Sequence, residues 1–159
     1  EERSFRLTIV EADLGELARQ ATAHTAALAA SKGVDLTGPI GRGPHVRVDP
    51  DRIVEVLGQL LDNALRVCAP GDAITVRVAT QGTTAMLTVT DTGAGFEPGA
   101  SERLFQRFFR ASPALSPDEG SGIGLTIARS LVTAQGGTIT AVSQGPGAGA
   151  TFTMTLPRA

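Results

Sequence analysis

The sequence predicts an α+β domain, a two-layer sandwich with three helices on one face of a mixed, mostly antiparallel sheet. Three observations carry this. The chain has 159 residues, the size of one ordinary domain. Segments with the two-residue alternation of strands outnumber segments with helical periodicity. The two kinds do not follow each other in the strand–helix–strand rhythm of a parallel sheet. Such a sheet leaves its second face to solvent or a partner.

Residues 1–4 read as a linker stub and 5–159 as the domain. Apolar and polar residues alternate over 5–10, which predicts an edge strand. Asp13 is placed as the N-cap of a first helix, with Glu16 three residues on as its capping-box partner. The apolar positions Leu14, Leu17, Ala18, Ala21 and Leu28 carry this helix to Lys32, and Gly33 ends it. Short strands are predicted at 34–36 and 46–48, separated by the Gly38-Pro39 and Gly43-Pro44 pairs.

A second helix is predicted from about 51 to 67, with Pro70-Gly71 beyond its end. Stretches 73–79 and 85–90 alternate as strands joined in a hairpin at Gln81-Gly82. A glycine-rich loop over 93–98 follows. After it come a short helix over 101–109, a Pro/Ser loop over 111–119 and a helix over 122–134 closed by Gly136-Gly137. Strands over 138–142 and 151–156 flank the loop 145–149 and finish the chain.

Composition excludes several classes. Apolar residues make up 42 % of the chain and charged residues 19 %, so it has the means to build a core. The net charge of −2 includes no Lys/Arg block, which argues against nucleic acid or an anionic membrane as the main partner. No apolar run reaches the roughly 18 residues a membrane span needs, so direct insertion is not expected and any anchor lies outside this chain. Cys68 is the only cysteine, which rules out an internal disulfide and suits a buried apolar role in a reducing, cytoplasmic setting.

Chemistry concentrates in three places. On the second helix, Ile53, Val56, Leu57, Leu60, Leu61, Ala64, Leu65 and Val67 share an apolar arc, and Asn63 falls at its rim beside Gln59 and Arg66. An amide there offers an oxygen to a hard cation without adding charge, although a plain surface amide fits the same position. Next comes Asp91-Thr92-Gly93-Ala94-Gly95-Phe96. It sets a carboxylate at a strand end beside glycines that let a ligand approach the backbone, or it is an ordinary Asp-x-Gly turn. The third is Gly120-Ser121-Gly122-Ile123-Gly124-Leu125. It opens a helix with free N–H groups and the positive end of the dipole, a phosphate site in physical terms, or it is a flexible loop. Pro98 occupies the third glycine position of G-x-G-x-x-G, and neither loop carries Gly-Lys-Ser/Thr, so Rossmann and P-loop readings fail.

The order of these segments resembles the catalytic domain of sensor histidine kinases, within the ATPase/kinase superfamily that includes gyrase, Hsp90 and MutL. Gln59-Leu-Leu-Asp-Asn63-Ala-Leu-Arg66 looks like the N box and residues 91–95 like the G1 box. Residues 104–109 look like the F box and 120–125 like the G2 box, and the resemblance runs from about 5 to 156. It implies the Bergerat fold with an ATP lid over about 97–119. It also implies a kinase that passes the ATP γ-phosphoryl to a histidine on a separate phosphoacceptor and dimerisation domain, which then serves a response regulator. ATP and Mg²⁺ are the implied cofactors.

By the same resemblance Asn63 holds Mg²⁺, and Asp91 reads the adenine amine. Gly93 and Gly95 shape the base pocket. Gly120, Gly122, Gly124 and Leu125 lie at the phosphates, and Phe105 and Phe108 pack the lid to the body. Arg66 grips phosphate, while Arg107 and Arg110 reach the γ-phosphate or stay solvated.

The chain also departs from the pattern. Gln59 stands where the kinases have Asn and the ATPases a Glu base, and an amide is no general base. Val67 replaces an aromatic residue that would stack on adenine. Neither His24, read as structural in the first helix, nor His45, read as a surface loop residue, has the setting of a phosphoacceptor. The alternatives are a degenerate nucleotide-binding or docking module without kinase activity, a serine kinase of the anti-sigma type, and, last, a gyrase-like clamp.

Overall fold

The computed structural model describes residues 6–106 and 124–159. The chain runs β1 (Val10–Asp13), α1 (Leu14–Lys32), β2 (Asp35–Thr37), β3 (His45–Val48), α2 (Pro50–Val67), β4 (Ala73–Gln81) and β5 (Thr84–Asp91). Two 3₁₀ turns follow, Pro98–Ala100 and Glu102–Phe105, and then α3 (Gly124–Ala134), β6 (Thr138–Val142) and β7 (Ala150–Pro157). Five strands form one sheet in the order β2-β4-β5-β7-β6. Only β2 and β4 pair parallel, because α2 lies between them in sequence; the other pairs are antiparallel. The mixed, mostly antiparallel sheet of the sequence reading is therefore present.

α1 and α2 each form for a local reason. Asp13 caps α1 by accepting the Glu16 N–H at 3.1 Å, and Gly33 ends it in the left-handed region at φ 78°. The Glu16 carboxylate turns to Arg19 instead of closing the capping box. Asp49 caps α2 through the Arg52 N–H, and Pro50 takes the first helical position, where a missing N–H costs nothing.

The buried stripe of α2 is the expected arc, Ile53 to Leu65, with Val67 left half-buried at its end. In α1 the stripe passes through Leu17, Ala21, Thr25 and Ala29. Four-residue steps advance about 40° each around a helix of 3.6 residues per turn. The stripe therefore drifts away from Leu28, which is 59 % exposed and not a core residue as its spacing had suggested.

The three α-helices of the described residues pack in a layer whose order follows the strands beneath. α1 meets β2 and β4, α2 meets β5, and α3 meets β6. Ala85, Leu87, Val89 and Asp91 of β5 point into this layer, as do Phe152, Met154 and Leu156 of β7. The opposite face carries a threonine ladder, Thr75–Thr90–Thr151 and Thr88–Thr153–Thr140, in register across the strands.

Some predicted boundaries move. The first strand is Val10–Asp13, not 5–10, and it pairs with β3 in a separate two-stranded sheet. Thr8 N–H is drawn to the Asp49 carboxylate at 2.9 Å, so the preceding segment follows the α2 cap instead of a ladder. The small sheet meets the large one through a bridge between Val46 and Arg158. The helix expected over 101–109 is a 3₁₀ turn ending at Phe105, because Gln106 turns extended, and residues 107–109 lie outside the described set. The hairpin turn is Gly82-Thr83, with Gly82 at φ 59°. No helix among the described residues is long and apolar enough to cross a membrane.

Candidate functional site

Gln59, Asn63 and Val67 follow one another at four-residue spacing, so they form a ridge along one flank of α2. All three are half-buried, whereas Asp62 beside them is exposed. From Gln59 to Val67 the ridge is about 12 Å long at 1.5 Å per residue. Each end meets one of the two glycine segments.

At the C-terminal end, Ala94 N–H donates to the Val67 carbonyl at 3.0 Å, and Gly93 lies flat against the same group. At the other end the Gln59 side chain fills the place a Cβ on Gly124 would need. Asn63 sits midway. Arg66, half-buried, lies on the last turn of α2, and Leu125 is half-buried in the first turn of α3. Gly120, Gly122, Arg107, Phe108 and Arg110 lie outside the described residues.

Asp91 ends β5 and is 3 % exposed. Its Oδ1 accepts the Gly93 N–H at 2.8 Å, and its Oδ2 is shut from solvent with no hydrogen-bond partner. Burial is the main cause that lifts its carboxyl above the ordinary value of 3.8; the Gly93 and Ala150 backbone bonds oppose it. A buried carboxylate oxygen with an open valence is an acceptor waiting for a donor. A shallow, open cavity of about 110 Å³ is lined by Thr90, Asp91, Ser143, Gly149 and Thr151 among others, with Thr90 and Thr151 of the threonine face among its walls. Asn63 and Gly124 do not line that cavity.

Gly95 takes φ 65°, and a Cβ there would come within 2.5 Å of the Gly145 carbonyl oxygen. The turn 93–96 is thus held between α2 and the β6–β7 loop. Gly147 N–H donates to Ala94 O at 2.7 Å and Gly149 N–H to Gly93 O at 3.2 Å. Sequence reading had treated 145–149 as a plain hairpin loop. The available signal was its Gly-x-Gly-x-Gly rhythm after a serine.

Phe105 is buried between Phe152, edge-on at 6.3 Å, and the Arg129 guanidinium, 4.0 Å from its ring centre. Arg129 also grips Glu102 with both nitrogens and donates to Ile139 O, while Thr126 Oγ1 donates to Phe105 O at 2.8 Å. Thr126 and Arg129 were not singled out from the sequence; their four- and seven-residue spacing from Gly122 is ordinary helix surface.

Cys68, His45 and His24 are the remaining candidates. Cys68 is buried, and its thiol is pushed up to about 11 by burial first and the Asp91 and Asp72 charges second. His45 opens β3, exposed, with Nδ1 2.8 Å from the Glu11 carboxylate. His24 lies on α1, as expected, and is exposed there. No group of three or more His, Cys, Asp or Glu suited to a metal exists among the described residues.

The family model described as histidine kinase-, DNA gyrase B-, and HSP90-like ATPase matches residues 48–159. The signal transduction histidine-protein kinase AfsQ2 of Streptomyces coelicolor is 37 % identical over 153 residues, covering 96 % of this chain and 27 % of that protein. The chain thus spans about a quarter of the length of such curated relatives. Among solved structures, the mycobacterial sensor histidine kinase MprB superposes with a TM-score of 0.80 at 25 % identity, over 95 % of this chain and 98 % of that one. Full-length ShkA in complex with AMPPNP superposes at 0.81 and 26 % identity, over 99 % of this chain and 32 % of that one.

Proposed function

The chain belongs to the family of histidine kinase-, DNA gyrase B- and HSP90-like ATPases, and from that premise we propose that it is the ATP-binding catalytic domain of a two-component sensor histidine kinase. The observation that supports this most is the α2 flank, which meets the Asp91–Gly95 turn at one end and Gly124 at the other. A nucleotide has a flat base with an amine at one end and a chain of anions at the other. The buried, unpartnered Asp91 oxygen suits the amine, and the start of α3 suits the anions.

In this reading Asp91 accepts the adenine amine, and Gly93 and Gly95 shape the base pocket by letting the turn pack closely on Val67 and on the β6–β7 loop. Asn63 gives its carbonyl oxygen to Mg²⁺, and Arg66 adds a fixed positive charge. Gly120, Gly122, Gly124 and Leu125 present N–H groups to the phosphates. Phe105 and Phe108 anchor the segment carrying Arg107 and Arg110, which face the γ-phosphate. When bound, Mg²⁺ offsets charge on the phosphate oxygens.

Gln59 cannot take a proton from water, so hydrolysis stays slow and the phosphoryl waits for a histidine nucleophile. That histidine belongs to a phosphoacceptor domain, with a response-regulator aspartate as the next acceptor. The work is placed in the cytoplasm, where ATP is supplied. The test is incubation of the domain, its histidine domain and γ-labelled ATP. Acid-labile, base-stable label on the histidine is expected, and no labelled histidine would overturn the reading.

A further inference from the structure

We propose that Ser143 is the positioning residue of the base-binding turn: its buried hydroxyl ties the β6–β7 loop to Phe96 and so sets how the Asp91 carboxylate meets a nucleobase. The inference deepens the proposed function and rests on it. Ser143 is 5 % exposed at the end of β6. A hydroxyl has one proton to donate and two lone pairs to accept with. Ser143 Oγ donates to Gly149 O at 2.7 Å and accepts from Phe96 N–H at 3.1 Å and Gly145 N–H at 3.2 Å. Its capacity is therefore full, and Gly145 O at 3.2 Å shares the same proton.

The bonds continue to Asp91. Gly149, held by Ser143, donates its N–H to Gly93 O, and Gly93 donates its own N–H to Asp91 Oδ1. That last bond decides which carboxylate oxygen is spent and which is left unpartnered. The other hydrogen bonds between the turn and the loop run main chain to main chain, through Gly147 and Gly149. Ser143 is the side chain that locks them. Gly95 has no room to adjust, because Gly145 O, Ser143 Oγ and Gly149 O all lie within 3.0 Å of where its Cβ would stand. Loss of the hydroxyl leaves two buried N–H groups and a carbonyl without a partner, and the turn relaxes toward water to satisfy them.

The experiment compares Ser143→Ala with Thr25→Ala, another buried hydroxyl, bonded to Ala21 O within α1 and remote from the turn. In the nucleotide-free chain, hydrogen exchange at the Phe96, Gly145 and Gly93 amides speeds up in Ser143→Ala and not in Thr25→Ala. This arm needs no nucleotide. Next, AMPPNP and GMPPNP are titrated into all three proteins. The parent prefers the adenine analogue, since guanine turns a carbonyl toward the carboxylate. Ser143→Ala weakens AMPPNP binding about tenfold and narrows the preference by a similar factor, while Thr25→Ala leaves both unchanged.

If Ser143→Ala shifts neither exchange nor base preference, the inference is wrong. If the parent itself binds no AMPPNP, the functional reading fails, and the exchange arm still decides whether Ser143 positions the turn. Should Ser143→Ala not fold, exchange at Phe96 and Gly145 in the parent serves instead. Slowing of both on AMPPNP addition supports the inference, and no change overturns it.

Discussion

Gly93 lies against the last carbonyl of α2: a Cβ built on it would stand 2.5 Å from the Val67 oxygen and 2.9 Å from the Val67 carbonyl carbon. Both obstacles are backbone, so neither can swing aside. Gly93→Ala is expected to push the turn off the helix, costing about 1–3 kcal/mol of stability and abolishing measurable AMPPNP binding. Gly58 is the control. It lies inside α2 with nothing within 4 Å of its Cβ position, so Gly58→Ala gains about 1 kcal/mol of helix propensity and leaves binding alone. Urea denaturation and a binding titration on both variants check this. Equal behaviour of the two would show that the close approach has no consequence.

Asp91 and Asp49 respond to pH in opposite directions. Burial raises the Asp91 carboxyl in the folded chain. Its stabilising share is therefore complete below the unfolded value and is lost as pH rises through the folded one. Asp49 is lowered, chiefly by the Thr8 N–H bond, with burial opposing and the Arg52 N–H and charge adding. Its share is present above the unfolded value and is lost as pH falls through the folded one. Asp91→Asn does not titrate. The stability of that variant minus the parent's is expected to rise from pH 3 towards neutral, whatever the offset between them. A difference that stays flat across that window would contradict the burial of a charged Asp91. The same variant turns part of an acceptor into a donor and is expected to lose adenine preference.

Much of the site was legible because its residues are neighbours on one helix or in one turn. The α2 arc, its rim amide and the two glycine turns follow from helical spacing and glycine chemistry alone. The relations that complete the site are long-range. Gln59 against Gly124, Ser143 to Phe96, and Arg129 over Phe105 join segments 24 to 65 residues apart, and no local pattern announces them. The first strand was misplaced for the same reason: Thr8 answers to Asp49, 41 residues on. Leu28 failed differently, since a mean period hides the drift of the buried stripe along a long helix.

Arg129 joins three elements, and its substitutions separate the contributions. Its ion pair with Glu102 is largely exposed on the carboxylate side, at 74 %, and such pairs contribute little. The stack on buried Phe105 and the bond to Ile139 O are better shielded. Arg129→Ala is expected to lose about 2 kcal/mol, and Arg129→Lys to recover less than half of it, since an ammonium lacks the planar fork. Glu102→Ala is expected to cost much less than Arg129→Ala. Comparable losses by chemical denaturation would assign the clamp to the ion pair instead.

Asn63→Ala tests the metal role with little risk of confounding it with unfolding. Asn63 is half-buried at the rim of α2, and its amide makes no hydrogen bond to another element among the described residues. Alanine is also the better helix former by about 0.6 kcal/mol, so the thermal midpoint is expected to stay level or rise slightly. If the amide oxygen is a Mg²⁺ ligand, the parent binds AMPPNP more tightly with Mg²⁺ than with a chelator, and the variant does not. The expected loss in Mg²⁺ is at least about tenfold, 1.4 kcal/mol, with little change when metal is absent. The metal-free arm is what isolates the role: a variant weakened equally with and without Mg²⁺ has lost a contact to the nucleotide itself. A variant that binds Mg-AMPPNP as well as the parent would remove Asn63 from the site altogether and leave the cation to phosphate and water.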